Sequence, residues 1–208
     1  MTNDIFGVRI PDSKMARDVT RLIRNAEDDL LFYHSTRVYF WGALIGTRKR
    51  LTFDPELLYT AAMFHDIGLT DGYRESQLPF EVDGANAARE FLENYSISER
   101  DIQKVWTAVA LHATPDIPEY MHPEIALVQE GYEMDVVGRG SDYFQSEQRE
   151  AVIAAYPRSK DFNREIIEAF YQGVKRRPDS TFDIVALKEP NFRRASLCSI
   201  FLGSHWKH

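Results

Sequence analysis

The stretch DDLLFYHSTRVYFWGALIG, from Asp28 to Gly46, constrains the fold more than any other. On a helix it spreads Phe32, Val38, Phe40, Trp41, Leu44 and Ile45 over more than one face. A helix apolar around most of its circumference has to be enclosed by protein or lipid. Lipid is excluded on length, because no apolar run approaches the roughly 20 residues that span a bilayer, and WGALIG gives way at once to Arg48, Lys49 and Arg50. The segment should therefore run through the centre of a helical domain, with the other elements packed around it.

The neighbouring segments supply those elements. PDSKMARDVTRLIRNA offers Asp12 or Ser13 as an N-cap and sets Met15, Val19, Leu22 and Ile23 on one face. In FDPELLYTAAMFHD, Asp54 is the expected cap and Pro55 the first helical residue. The helix should last about three turns to His65, with Gly68 as its stop. DGANAAREFLENY (Asp83 to Tyr95) reads as a helix rich in small residues. Ser98 and Asp101 resemble a capping box, with Asp in place of Glu, for a helix to His112. Pro115 and Pro118 break that pattern, and Pro123 opens a helix to Val137. GRGSDYF is a loop, and helices follow at Ser146 to Tyr156, Asp161 to Arg176 and Asn191 to Leu202. Lys175 to Pro190 is the expected long loop.

No alternating strand pattern, repeat or low-complexity linker divides the chain. The expected fold is all-α, one domain over 1–208 of about eight helices, with a core at 28–140 and C-terminal helices at 146–203. A chain of 208 residues buries enough surface to fold without disulfides or a structural metal. Its one cysteine, Cys198, forbids an intrachain disulfide, and no basic n-region precedes an apolar h-region, so a cytoplasmic location is expected, with no membrane partner. A net charge of −7 argues against nucleic acid as a partner, since phosphate-backbone binding needs a basic face. The short runs RKR (Arg48 to Arg50) and KRR (Lys175 to Arg177) fall near expected helix C-termini, where cations complement the dipole.

Chemistry concentrates at AAMFHDIGLTDGY. His65 and Asp66 stand at the end of an apolar helix, and adjacent residues there can converge on a point just beyond the last turn. Imidazole nitrogen and carboxylate oxygen are good ligands for Zn²⁺, Fe²⁺ or Mn²⁺, but two ligands make too loose a site. The remaining candidates are His34 in the apolar second helix, His112 at a helix end, His122 before Pro123, and Asp135 among apolar neighbours. Each alone has a plainer reading as a hydrogen-bonded core residue or a turn residue.

Taken in order, HSTRV at His34 to Val38, HDIG at His65 to Gly68 and DVVG at Asp135 to Gly138 resemble the HD superfamily of metal-dependent enzymes. The resemblance implies His34, His65, Asp66 and Asp135 as metal ligands, with His112 matching a further histidine that lines the pocket in many members and ligates a second metal in some. The implied cofactor is a divalent transition metal, zinc before iron or manganese, which lowers the pKa of a bound water toward neutrality.

The superfamily is mostly associated with phosphohydrolases. Its signalling phosphodiesterase branch carries a lysine where this chain has Leu69, and a downstream GYP that is lacking here. HDIGLTDGYRESQLPFEVDGANAAREFL and GRGSDYFQSEQREAVIAAYPR look instead like the cyanamide hydratase-like branch, although the fungal members tend to carry Thr where Leu69 stands. That likeness implies attack of water on the nitrile carbon of a small neutral substrate, giving urea from cyanamide. The alternative is hydrolysis of a nucleotide or phosphate ester. A rival of another kind is a non-catalytic ligand-binding or scaffold protein, against which the retained ligand set argues.

The candidate catalytic set is Asp66, Thr70, Asp71 and His112, with Thr70 orienting substrate and Asp71 relaying a proton. The simpler reading of TDG is turn chemistry. Glu81 and Asp83 are expected in cap and surface roles, unless FEVDG folds over the pocket, and Arg37 as the partner of a nearby carboxylate. A small-molecule substrate is the implied partner, and a homo-oligomer is compatible with the chain.

Overall fold

The computed structural model describes residues 4–175 and 177. Among these residues the architecture is helical throughout: α1 Lys14–Ala26, α2 Asp29–Arg48, α3 Pro55–Phe64, α4 Phe80–Leu92, α5 Glu99–Leu111, α6 Pro123–Val137, α7 Ser146–Ala155 and α8 Phe162–Val174. Short 3-10 turns join several of them, and the one β feature is an isolated bridge between Ile5 and Val8. None of these helices is long and apolar enough to cross a membrane. The helix expected at Asn191 to Leu202, Cys198 and most of the expected loop lie outside the described residues.

The caps read from sequence are present. Ser13 accepts from the Ala16 amide, Asp54 from Glu56 and Leu57, and Ser98 from Asp101, and the structure adds Asp28, which accepts from Leu31. Each satisfies amides that a helix start leaves without an internal partner. Two expectations need correction. In α1 the buried stripe is Met15, Ala16, Val19 and Ile23, with Leu22 exposed, because Leu22 lies at the edge of the stripe. The fourth helix starts at Phe80 rather than Asp83, on Pro79, whose fixed φ suits a helix entry.

Helix α2 is the axis of the structure, as its apolar circumference requires. Trp41, Phe40, Val38 and Ile45 are all wrapped by neighbours, and one hydrophobic core runs from Ile5 to Val174. Its closest partner is α6. A Cβ on Gly42 would sit 2.6 Å from the Leu127 carbonyl oxygen, and one on Gly131 would sit 2.3 Å from that of Val38. The two backbones touch, and any larger residue at either glycine would force them apart. One turn along from this contact, His34 and Arg37 on α2 come opposite Asp135 on α6.

Candidate metal centre

His65 and His112 occupy the same structural position on different helices. Each is the C-cap of its helix, α3 and α5, and each ring folds back so that Nδ1 meets the carbonyl three residues earlier: Ala62 at 2.7 Å for His65, Val109 at 2.7 Å for His112. A carbonyl oxygen only accepts, so Nδ1 carries the hydrogen in both rings and Nε2 presents a bare lone pair. His34 is fixed in the same sense. Its Nδ1 lies 2.7 Å from Asp135 Oδ2, and Asp135 is ionised, because burial pushes its carboxyl up but Arg37 and His34 hold it far below the usual carboxylate range.

These lone pairs converge on Asp66. The Nε2 atoms of His34 and His65 are 3.2 Å apart, and Asp66 Oδ2 is 3.5 Å from the first and 3.2 Å from the second. His112 Nε2 lies 3.7 Å from Asp66 Oδ1. All four side chains are fully buried. Both Asp66 oxygens and His112 Nε2 lack any hydrogen-bond partner. Buried acceptors facing one another with no donor between them are strongly unfavourable unless a cation compensates them. A tetrahedral ion with bonds of about 2.0–2.1 Å spaces its ligand atoms about 3.3 Å apart, which is the spacing His34, His65 and Asp66 already show. Their ligand atoms all lie within 4.8 Å of one another, so these three can share an ion, with His112 beside them.

The electrostatics agree. Burial pushes the Asp66 carboxyl up, but His65, then His34 and His112, overcome it and set it at about 2. Burial disfavours a charged His65, yet the adjacent Asp66 carboxylate lifts it above the ordinary imidazole value. His112 falls to about 3, through burial first and then repulsion from His65. The Asp66 carboxylate thus favours positive charge at His65, as a site for a divalent cation requires. The carbonyl ends of α3 and α5 both point toward this spot, and their dipoles favour positive charge there.

Asp135 is brought to the site but not to the ligand position that the family resemblance implied. Its Oδ1 accepts from Arg37 Nε at 2.8 Å and Trp41 Nε1 at 2.9 Å, while Oδ2 accepts from Arg37 Nη2 at 2.8 Å as well as from His34. It stands behind His34, on the ring nitrogen facing away from the cluster, where it fixes tautomer and orientation as outer-shell carboxylates do. Arg37 is the structural partner expected.

Thr70 and Asp71 do not join the cluster. Thr70 donates to the Ile67 carbonyl at 2.7 Å, closing the 3-10 turn Ile67–Leu69, and Asp71 is exposed at the start of the next turn, Asp71–Tyr73. The turn chemistry of TDG accounts for both. His122 is the exposed N-cap of α6. Gly68 is not a left-handed helix stop. It lies inside the 3-10 turn, where a Cβ would come 2.1 Å from the Phe80 carbonyl oxygen, so it lets α4 close onto the HD turn.

Five further residues complete the surroundings. The Tyr132 ring stands edge-on to His112, His65 and His34, at 5.2, 6.3 and 6.2 Å, and Phe80 packs on His112 at 5.7 Å. Asp83, expected at the surface, is buried and paired with Arg177, which also donates to the carbonyls of Gly68, Leu78 and Tyr73. Arg177 thus pins the loop after the HD pair and, through Nε, also donates to the Gly173 carbonyl in the last turn of α8, the helix-end role expected of it. Glu81 keeps an oxygen, Oε2, that is buried and unpartnered. No local pattern marks Arg177, because its partners lie about a hundred residues away. The C-capping histidine after an apolar run, shared by His65 and His112, is a signal that sequence does carry.

The helical fold and this acceptor-only cluster define a protein class: an α-helical domain arranged to hold a divalent cation with imidazole and carboxylate. The chain belongs to the HD domain family, whose profile matches residues 31–168 and whose members are in general metal-dependent hydrolases. It is 33% identical over 69 residues to an uncharacterized protein of Clostridium beijerinckii, covering 33% of this chain and 43% of that one. It is 28% identical over 153 residues to a bifunctional uridylyltransferase/uridylyl-removing enzyme of Chromobacterium violaceum, covering 74% of this chain and 16% of that enzyme. The chain thus spans less than half the length of either relative.

Proposed function

We propose that the chain is a metal-dependent hydrolase or hydratase that activates water against a small uncharged substrate, with cyanamide-type nitrile hydration to urea as its sharpest form. The observation that carries the reading is the cluster of His34, His65, Asp66 and His112, whose facing atoms are acceptors without a donor. These residues would hold the ion, zinc by preference, since three imidazoles and a carboxylate suit it, with iron or manganese as the other candidates. Held by these residues, a divalent ion would lower the pKa of water toward 7, so that a hydroxide nucleophile would be available at neutral pH.

The chain's own residues do the rest. Asp135 and Arg37 hold the His34 ring with Nε2 aimed inward. Tyr132 and Phe80 wall the centre with aromatic surface that excludes bulk water. The four side chains of the cluster are fully buried, which keeps bulk solvent from them. A small neutral substrate is favoured because the two buried arginines among the described residues are committed elsewhere. Arg37 binds Asp135 and the carbonyls of Tyr156 and Pro157, and Arg177 binds Asp83 and three loop carbonyls. A phosphate substrate asks for such cations as clamps.

A second reading, hydrolysis of a nucleotide or phosphate ester, draws support from the similarity to a uridylyl-removing enzyme. The two separate in one experiment with the full chain reconstituted with Zn²⁺, Fe²⁺ or Mn²⁺. Urea formed from cyanamide without phosphate or nucleotide release from a phosphoester panel supports the first. Phosphoester cleavage with no urea overturns it in favour of the second.

A further inference from the structure

The buried centre needs a route for protons, and one carboxyl is placed to provide it. Glu81 lies in the first turn of α4, the helix whose N-terminus closes on the HD turn. Its neighbours on that helix touch the centre's frame. The ring of Phe80 packs on His112, the Phe80 carbonyl abuts Gly68, and Gly84 lies close enough to the carbonyls of Phe64 and His65 that a Cβ would come within 2.7 and 3.4 Å of them. Glu81 itself is only partly buried, yet its Oε2 is shielded from solvent and has no hydrogen-bond partner. Glu81 thus carries one shielded, uncommitted oxygen on the helix turn that closes on the HD turn, near enough to Asp66 and Tyr132 for charge to act between them.

We propose that Glu81 is the proton-transfer residue of the metal centre. The proposal rests on the water-activating reading above and adds to it the group that balances the reaction. In nitrile hydration an O–C bond forms from water to the substrate carbon, and one C–N π bond breaks with its electron pair going to nitrogen. Glu81 Oε2–H gives its proton to that nitrogen, and the proton released by the attacking water restores Glu81. Water and nitrile thus give the imidic acid, which tautomerises to the amide, with Glu81 unchanged.

The chemistry of the position suits this exchange. Burial raises the Glu81 carboxyl to about 7, with the Asp66 charge adding to the shift and its own backbone amide and the Arg177 guanidinium opposing it. A carboxyl poised near neutrality donates and accepts with nearly equal ease. The Tyr132 phenol, raised by burial and by the charges of Asp66, Glu81 and Glu133, stays protonated beside it.

The test is Glu81→Gln in the metal-reconstituted full chain, read in three ways. Metal content should equal that of wild type, because Glu81 is not a ligand. The infrared band of a protonated carboxyl seen in wild type at acidic pH should be reduced in the variant. With cyanamide as substrate, kcat should fall by about a hundredfold or more with little change in KM. A variant that binds metal and retains kcat within about threefold overturns the proposal and leaves the metal site standing. Failure of wild type itself to take up metal is a different result, which removes the water-activating reading. Glu81→Asp is the second variant: it keeps the carboxyl and should recover part of kcat, and no recovery in a folded, metal-loaded protein counts against proton transfer.

Discussion

Replacing Arg37 with Met tests the link between the core and the metal centre. The guanidinium makes two charge-assisted hydrogen bonds of 2.8 Å to Asp135, and both side chains are essentially without exposure. Met fills much of the volume but leaves a buried carboxylate with only Trp41 and His34 as partners. Removing one member of a buried ion pair costs about 3–5 kcal/mol, against a total stability of about 5–15 kcal/mol, so the variant should fold and be measurably weaker. In wild type the Asp135 carboxyl is depressed on folding, so its contribution is present above the unfolded value of about 3.9 and is lost as pH falls through the folded one. In Arg37→Met, burial raises the carboxyl instead, so folding takes up a proton and stability falls as pH rises. The deficit relative to wild type should therefore widen from about pH 5 to pH 8, as read by urea denaturation. The double variant Arg37→Met, Asp135→Asn leaves no unpaired charge and should recover part of the loss. Metal affinity should drop by about 10- to 100-fold in Arg37→Met through the loosened His34 ring. A deficit under about 1 kcal/mol at pH 8, or one that stays flat with pH, would refute the reasoning.

His112→Ala should weaken metal binding without abolishing it, because His34, His65 and Asp66 form the tight group, and calorimetric titration with Zn²⁺ decides this; unchanged affinity would place His112 outside the coordination shell. Gly68→Ala pushes a Cβ to 2.1 Å from the Phe80 carbonyl and should cost about 1–3 kcal/mol while displacing α4. A melting temperature equal to wild type would show that the two segments are not held that closely.

Much of this fold was legible because its signals are local. Ser13, Asp54 and Ser98 are caps whose chemistry acts within three residues, and the all-round apolar character of α2 leaves it no place but the centre. The grouping of His34, His65 and Asp66 was implied by the family resemblance, which also counted Asp135 as a ligand, where the structure sets it behind His34. What sequence left open depends on contacts between distant segments. Which nitrogen of His34 faces Asp135 is set by the Gly42 and Gly131 backbone contact of α2 with α6. The burial of Asp83 is set by Arg177, 94 residues away. Glu81 looked like a surface acid because nothing local shows that α4 presses its first turn onto the HD loop.

Metal analysis of the purified full chain, before and after reconstitution, tests the central claim most directly. The account predicts a bound divalent ion in wild type that is lost in His65→Ala and Asp66→Ala while both variants remain helical by circular dichroism. Wild-type protein that holds no Zn, Fe or Mn after reconstitution, or full retention of the ion in both variants, would contradict it.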